Sequence, residues 1–277
     1  MNQQEQIKKQ MEKTAQGIKQ AMGQITNRVV VFSGKGGVGK TTVAVNLAYA
    51  LANNGARVGL LDADITGPNV PQMVGITETA QAEAGRMIPH VAQGIKVISL
   101  ASIVPAGTPV IWRGPLRSKA IDQFLGEASW GVLDFLIADL PPGTGDEVLT
   151  ITQRTSPQMA IIVTTPQEVA LIDARRAANM AKKMEIAQIG VVENMSGLIC
   201  PHCGEQIDLF GAGGGEREAK KLSLLFLGKI PIDPSVRVEA DNGRPIVLAN
   251  PEARISQAFF AIAAQIERAL KDAPKEE

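Results

Sequence analysis

From Arg28 onward, short apolar, β-branched runs alternate with longer stretches of helical periodicity. The runs Val29–Ser33, Val58–Asp62, Ile95–Leu100, Phe135–Asp139, Ala160–Thr164, Ile189–Asn194 and Phe226–Ile230 predict strands. Most lack polar alternation, the pattern of strands covered on both faces in a parallel sheet. Between them Lys40–Asn53, Leu116–Gly126 and Glu168–Met184 predict helices, and a last helix carries Ile255, Phe259, Ile262, Ile266 and Leu270 on one stripe. The alternation predicts an α/β fold, a doubly wound, mostly parallel sheet with helices on both faces. Ligands of such a sheet gather at the carboxyl ends of the strands. Residues 1–27 read as a separate amphipathic helix, since Ile7, Met11, Ile18, Met22 and Ile25 recur near the helical period in a Gln-rich background. Residues 28–277 then form a single domain, with GAGGG at 211–215 expected as a flexible loop.

Composition narrows the functional classes. Hydrophobic residues make up 45% of 277, but aromatics only 4%, so the core rests on Val, Ile, Leu, Ala and Met. Basic and acidic residues balance at 28 each. This argues against a nucleic-acid partner, which a basic excess or stripe would announce. No run approaches the ~18 apolar residues of a membrane helix, and the N-terminus lacks a secretory apolar segment. A soluble, cytoplasmic protein without a membrane partner is expected.

The chemistry is concentrated in a few motifs. VVVFSGKGGVGKTTVAVNLAYAL reads strand, glycine loop, helix, and Gly34, Gly39, Lys40 and Thr41 fit the phosphate-loop pattern. Through Gly34, Lys35, Gly36, Gly37, Val38, Gly39, Lys40, Thr41 and Thr42, backbone N–H groups would converge on the phosphates of ATP, backed by a helix N-terminus. Lys40 is expected on the β- and γ-phosphates and the Thr41 hydroxyl on Mg²⁺. Asp139 ends an apolar strand as a Walker B carboxylate, and Asp62 follows the second strand as a further Mg²⁺ ligand. Asp64 is the candidate for positioning the attacking water. Cys200-Pro201-His202-Cys203 offers three readings: a redox dithiol, a zinc site, or an iron–sulfur site. Zinc sites and clusters generally take four protein ligands, and one chain has two cysteines, so a symmetric dimer would complete the set.

GKGGVGKTT, with its early Lys35, resembles the deviant Walker A loop of the ParA-like branch of P-loop ATPases. The longer stretches DADITGPNVP, WRGPL, WGVLDFLIADLPPGTGDEVLT, TTPQEVALIDARRAANM, ENMSG, CPHCGE and PIDPSVRVEADNGRPIV resemble the Mrp/ApbC family of iron–sulfur cluster carrier ATPases. Asn69 departs from that pattern, standing where Ser is usual. The resemblance implies an ATP hydrolase that works as a homodimer. In it Lys35 reaches the partner's nucleotide, Asn194 contacts the adenine, and Pro231 and Asp233 lie close to the base. It also implies a [4Fe–4S] cluster bridging Cys200 and Cys203 of two chains, with Zn²⁺ able to take its place. Apo iron–sulfur proteins and a cluster assembly scaffold are the implied partners. Two other classes stand beside it: a positioning ATPase of the ParA kind and an ATP-driven electron donor.

Overall fold

The computed structural model describes residues 3–64, 67–78, 81–83, 86–99, 121–122, 125–200 and 202–272. Chain order begins with α1 (Gln3–Gly23), β1 (Ile25–Phe32), α2 (Lys40–Asn53), β2 (Val58–Asp62) and the short α3 (Val70–Met73). Then come β3 (Gln81–Glu83), β4 (Arg86–Ile88), β5 (His90–Ala92), β6 (Ile95–Ser99), β7 (Leu133–Asp139), α4 (Asp146–Thr155) and β8 (Met159–Thr164). The last third holds α5 (Glu168–Lys183), β9 (Gln188–Glu193), β10 (Leu198–Ile199), β11 (Gln206–Ile207), α6 (Gly214–Lys221) and β12 (Leu225–Lys229). It closes with α7 (Pro234–Asp241), α8 (Ile246–Ala249) and α9 (Arg254–Lys271).

Eight strands form one sheet in the order β12-β9-β8-β1-β7-β2-β6-β5. Every pairing in it is parallel except β5 with β6. The apolar runs explain this arrangement: β2 and β8 are buried along their whole length, as strands sandwiched between helical layers must be. On one face α2 and α9 pack against the sheet through Val43, Leu47, Leu51, Phe259, Ile262 and Ile266. On the other face lie Ile18 and Met22 of α1, Val148 and Ile151 of α4, and the alanine stripe Ala174, Ala177, Ala178 and Ala181 of α5. Small side chains on that stripe bring α5 close to the strands. The expected doubly wound sheet is the fold found, with each anticipated strand present within a few residues of its expected ends.

Four expectations either fall outside the described residues or differ from the fold found. The side chains of Ile7 and Met11 lie outside the described residues, as does most of the helix expected at Leu116–Gly126, of which residues 121–122 and 125–126 are helical. WRGPL likewise falls outside them. GAGGG at 211–215 is not a flexible loop. Gly213 caps α6, and Gly214 and Gly215 are buried in its first turn. The reason is a requirement for small size: a Cβ on Gly214 would collide with the Pro166 carbonyl, and one on Gly215 would lie 3.0 Å from Glu193 Cβ.

Candidate functional site

The central strand β1 ends in Phe32, and the loop Ser33–Gly39 turns it into α2. Gly37 and Gly39 adopt φ of 80° and 81°, the left-handed region that glycine enters without steric cost. Gly39 is also a point of close approach, since a Cβ there would collide with the Asn194 amide. Ser33 Oγ donates to the Lys35 carbonyl at 2.8 Å, which closes the start of the loop. Val38 is buried in the core and anchors its far side. Gly36 and Gly37 are exposed, while Gly34, Lys35, Thr41 and Thr42 are half-buried. A Cβ on Gly34 would collide with the backbone at Asp173, so α5 abuts the loop directly.

Register brings the acidic residues to this end of the sheet. Asp139 pairs with Val31 on one side and with Asp62 on the other. Leu140 N donates to the Val31 carbonyl, Gly143 N to that of Ser33, and Ala63 N to that of Asp139. Lys40 Nζ lies 2.5 Å from Asp139 Oδ1, and the Thr41 hydroxyl donates to Asp139 Oδ2 at 2.6 Å. Burial pushes the Asp139 carboxyl up, opposed chiefly by the adjacent Lys40 ammonium. Asp62 accepts from Ser99 Oγ at 3.0 Å and from Asp64 N at 3.2 Å. Burial, with the Asp139 charge adding to it, pushes its carboxyl up to about 7. Asp64 Oδ1 accepts from Gly67 N at 3.1 Å and so shapes the turn after β2. Two buried carboxylates and a threonine hydroxyl are hard oxygen donors, the kind that suits Mg²⁺ completed by phosphate and water. Among the described residues no group of three or more His, Cys, Asp or Glu is arranged to hold a metal by itself.

Two strands away, β9 delivers Asn194, which donates through Nδ2 to the Val38 carbonyl at 2.9 Å and through its backbone N to that of Thr164. Asn194 therefore braces the phosphate loop. The turn after it contains Met195 at φ 57°. Ser196 N bonds to the Ile230 carbonyl and Ile232 N to that of Gly197, which lays residues 230–233 beside this turn. Pro231 is half-buried there. Asp233 caps α7, accepting from Ser235 N at 2.9 Å and from Ser235 Oγ at 2.6 Å.

Beyond Gly197 the chain forms an exposed hairpin of β10 and β11 paired antiparallel. Cys200 N bonds to the Glu205 carbonyl and Gly204 N to that of Cys200, so both cysteines sit at the tip. They form no disulfide; Cys200 is half-buried and Cys203 exposed. N–H groups of Cys203 and His202 point at the Cys200 sulfur and hold its thiol below the usual range. A lowered, accessible thiol of this kind favours metal binding or exchange. His202 is exposed beside it. Ile207 and Leu209 on the hairpin, and Val169 and Ile172 on α5, are 41–67% exposed. Gly211 lies against Pro166.

One residue that sequence reasoning missed is Glu193, wholly buried, whose carboxylate accepts from Ser196 Oγ at 2.5 Å, Gly213 N at 2.8 Å and Gly215 N at 2.5 Å. Its only sequence signal was a charge at the end of an apolar strand.

Comparison with known proteins places this geometry. The ParA family model described as "NUBPL iron-transfer P-loop NTPase" matches residues 24–267. An iron-sulfur cluster carrier protein of Pyrococcus horikoshii is 54% identical, over 88% of this chain and 87% of that protein. One of Methanocaldococcus jannaschii is 50% identical, over 90% and 87%. Among solved structures, a nucleotide-binding protein from Archaeoglobus fulgidus in complex with ADP is 38% identical, with a TM-score of 0.77 over 89% of this chain and 95% of that one. The cell division ATPase MinD of Pyrococcus furiosus is 25% identical, with a TM-score of 0.65 over 88% and 99%. With the loop, its bracing carboxylates and the matched length taken together, this chain belongs to the ParA family of NUBPL iron-transfer P-loop NTPases.

Proposed function

We propose that the protein is an ATP hydrolase that carries an iron–sulfur cluster between two copies of itself and hands it to apo-proteins, after loading from an assembly scaffold. The observation that carries the reading is the exposed Cys200–Cys203 turn, built on the same sheet end as the phosphate loop. Two thiolates are half of what a [4Fe–4S] cluster requires, and a second chain related by a two-fold axis supplies the rest. The exposed apolar side chains Ile207 and Leu209, on and just beyond the hairpin, suit a face covered by another protein. Zinc fits the same four-sulfur set. The A. fulgidus relative, described as containing cobalt, shows that a related protein takes up a transition metal.

At the nucleotide, Gly34 to Thr42 cradle the phosphates and Lys40 turns from Asp139 to the β- and γ-oxygens. Mg²⁺, held by Thr41 with Asp139 and Asp62, would neutralise charge on the transferring phosphoryl group. Asp64 orients the water, Lys35 reaches the nucleotide of the second copy, and Asn194, Pro231 and Asp233 border the base. The helix expected over 1–27 ends at Gly23, and Ile25, expected on its stripe, opens β1 instead; it leads into the ATPase domain proposed for 28–277. No described helix is long and apolar enough to cross a membrane, and the balanced charge gives no electrostatic footprint for nucleic acid. We place the protein in the cytoplasm, where reduced thiols persist.

The test is anaerobic reconstitution with ferrous iron and sulfide, then incubation with an apo [4Fe–4S] enzyme. Formation of a cluster and recovery of the acceptor's activity are expected. An acceptor left inactive beside a loaded carrier would remove the transfer role.

A further inference from the structure

The segment that carries the thiols leaves the sheet at Ser196 and returns at Gly213, and one buried carboxylate grips both ends. Glu193 accepts from the Ser196 hydroxyl where the excursion departs, and from Gly213 N and Gly215 N where it returns. The neighbouring residue, Asn194, grips the phosphate loop at Val38, and Gly39 has no room for a side chain beside it. Two adjacent residues at the end of one strand therefore hold the two functional loops. Backbone pairing fixes them from the other side: Glu193 is in register with Thr164, and Asn194 N bonds to the Thr164 carbonyl.

A helix cap alone does not account for this arrangement. Two of the three donors belong to the first turn of α6, where a carboxylate is expected. The third, Ser196 Oγ, belongs to the entrance of the thiol excursion. No lysine or arginine pairs with Glu193 in the ion pairs of the described residues, so these donors are what compensate its burial. A rearrangement at Asn194 that shifts Glu193 by a few tenths of an ångström must stretch bonds at both ends of the excursion. Tightly packed segments transmit such shifts because they have little room to absorb them.

We propose that Glu193 is a positioning residue that couples nucleotide occupancy of the phosphate loop to the geometry of the Cys200–Cys203 turn. This rests on the carrier reading for its two ligands. Coupling between sites is reciprocal, so nucleotide alters metal affinity by the same factor as metal alters nucleotide affinity.

Zn²⁺ alone serves as the thiol probe, titrated by competition with a chromophoric chelator, with and without Mg²⁺ and a non-hydrolysable ATP analogue. In the wild-type full chain the analogue is expected to shift the Zn²⁺ dissociation constant by about 5-fold or more, within the usual range of coupling between sites. Glu193→Gln replaces one acceptor oxygen by a donor that faces backbone N–H groups, and the shift should collapse toward unity. Ser196→Ala is the milder variant: it leaves the α6 cap intact, removes only the link to the excursion, and should lose most of the shift. Variants that melt earlier yet keep the wild-type shift would reduce Glu193 to a structural cap and overturn the inference. So would a wild-type protein that binds both ligands with no mutual effect. A wild-type protein that binds no Zn²⁺ at its thiols, or no nucleotide, would overturn the carrier reading and this inference with it.

Discussion

Lys40 and Asp139 face each other almost without solvent, at 7% and 0% exposure. Removing the ammonium leaves a buried carboxylate hydrogen-bonded to Thr41, and in the proposed nucleotide complex it removes the main counter-charge of the β- and γ-phosphates. A charge-assisted hydrogen bond contributes about 1.5–3 kcal/mol, so Lys40→Ala should weaken ATP binding by about 10- to 100-fold, read by calorimetric titration. Breaking a buried pair costs about 3–5 kcal/mol when the charge left behind stays ionised. Burial pushes the Asp139 carboxyl up and loss of Lys40 removes the main charge opposing that, which favours the neutral form and should bring the stability loss below that range. Wild-type affinity in the variant would contradict the phosphate assignment. Asp64 lies outside that pair, in the turn it shapes with Gly67. Asp64→Asn keeps an acceptor for Gly67 N but loses the charge proposed to orient water, so binding should persist while turnover falls on the order of 10²-fold. Unchanged turnover would take Asp64 out of the mechanism. That Lys40, Thr41 and Asp139 would meet at one strand end was legible in the sequence, because the loop pattern and an apolar strand ending in a carboxylate fix their positions. Glu193 was not, because its role depends on Gly213 and Gly215 arriving twenty and twenty-two residues later.

Among elements, α2 and β2 have the bounds anticipated from pattern alone. Each has its own punctuation: Gly39 before α2 and the Asn54-Gly55 pair after it, and a wholly apolar strand ending in Asp62. α4 escaped notice although Val148, Ile151, Thr152 and Thr155 mark its buried face, because its ten residues follow a proline- and glycine-rich turn that reads as loop. The hairpins β3–β4 and β10–β11 are two or three residues per strand, too short for alternation to register. α6 was misread for a different reason. Composition suggested flexibility, whereas packing against Pro166 and Glu193 demands the absence of side chains. Gly214→Ala tests that account, because its methyl group would drive the Pro166 carbonyl and Leu171 away. Overpacking of this kind typically costs about 1–3 kcal/mol. At roughly 2–4 °C per kcal/mol in a domain of this size, the melting temperature should fall by several degrees. A variant as stable as the wild type would mean that the β8–α5 turn yields, and that these glycines mark a flexible segment after all.

At the scale of the whole molecule the proposed carrier role needs four metal ligands from a chain with two cysteines and two histidines. The described part of one chain brings together no set of three metal-binding side chains. The thiols stand at the tip of an exposed hairpin, not in a closed pocket. In the proposed dimer a second hairpin, brought up by a two-fold axis, would supply two more sulfurs in equivalent roles, the self-complementary arrangement expected of a symmetric pair. The exposed Ile207 and Leu209 would then be covered by the same contact that completes the cluster. Reconstituted protein should therefore hold about one [4Fe–4S] cluster per two chains, as read from iron and sulfide content against protein concentration. Changing Cys200 and Cys203 together to Ala removes all four sulfurs of the pair. The variant should bind no cluster and dissociate more readily in analytical ultracentrifugation. ATP binding in the absence of metal should remain at the wild-type level, because Gly34 to Thr42 and their braces at Asp139 and Asn194 contain neither cysteine. One full cluster on an isolated monomer, or a cluster that survives the double substitution, would place the ligands elsewhere and undo the shared site.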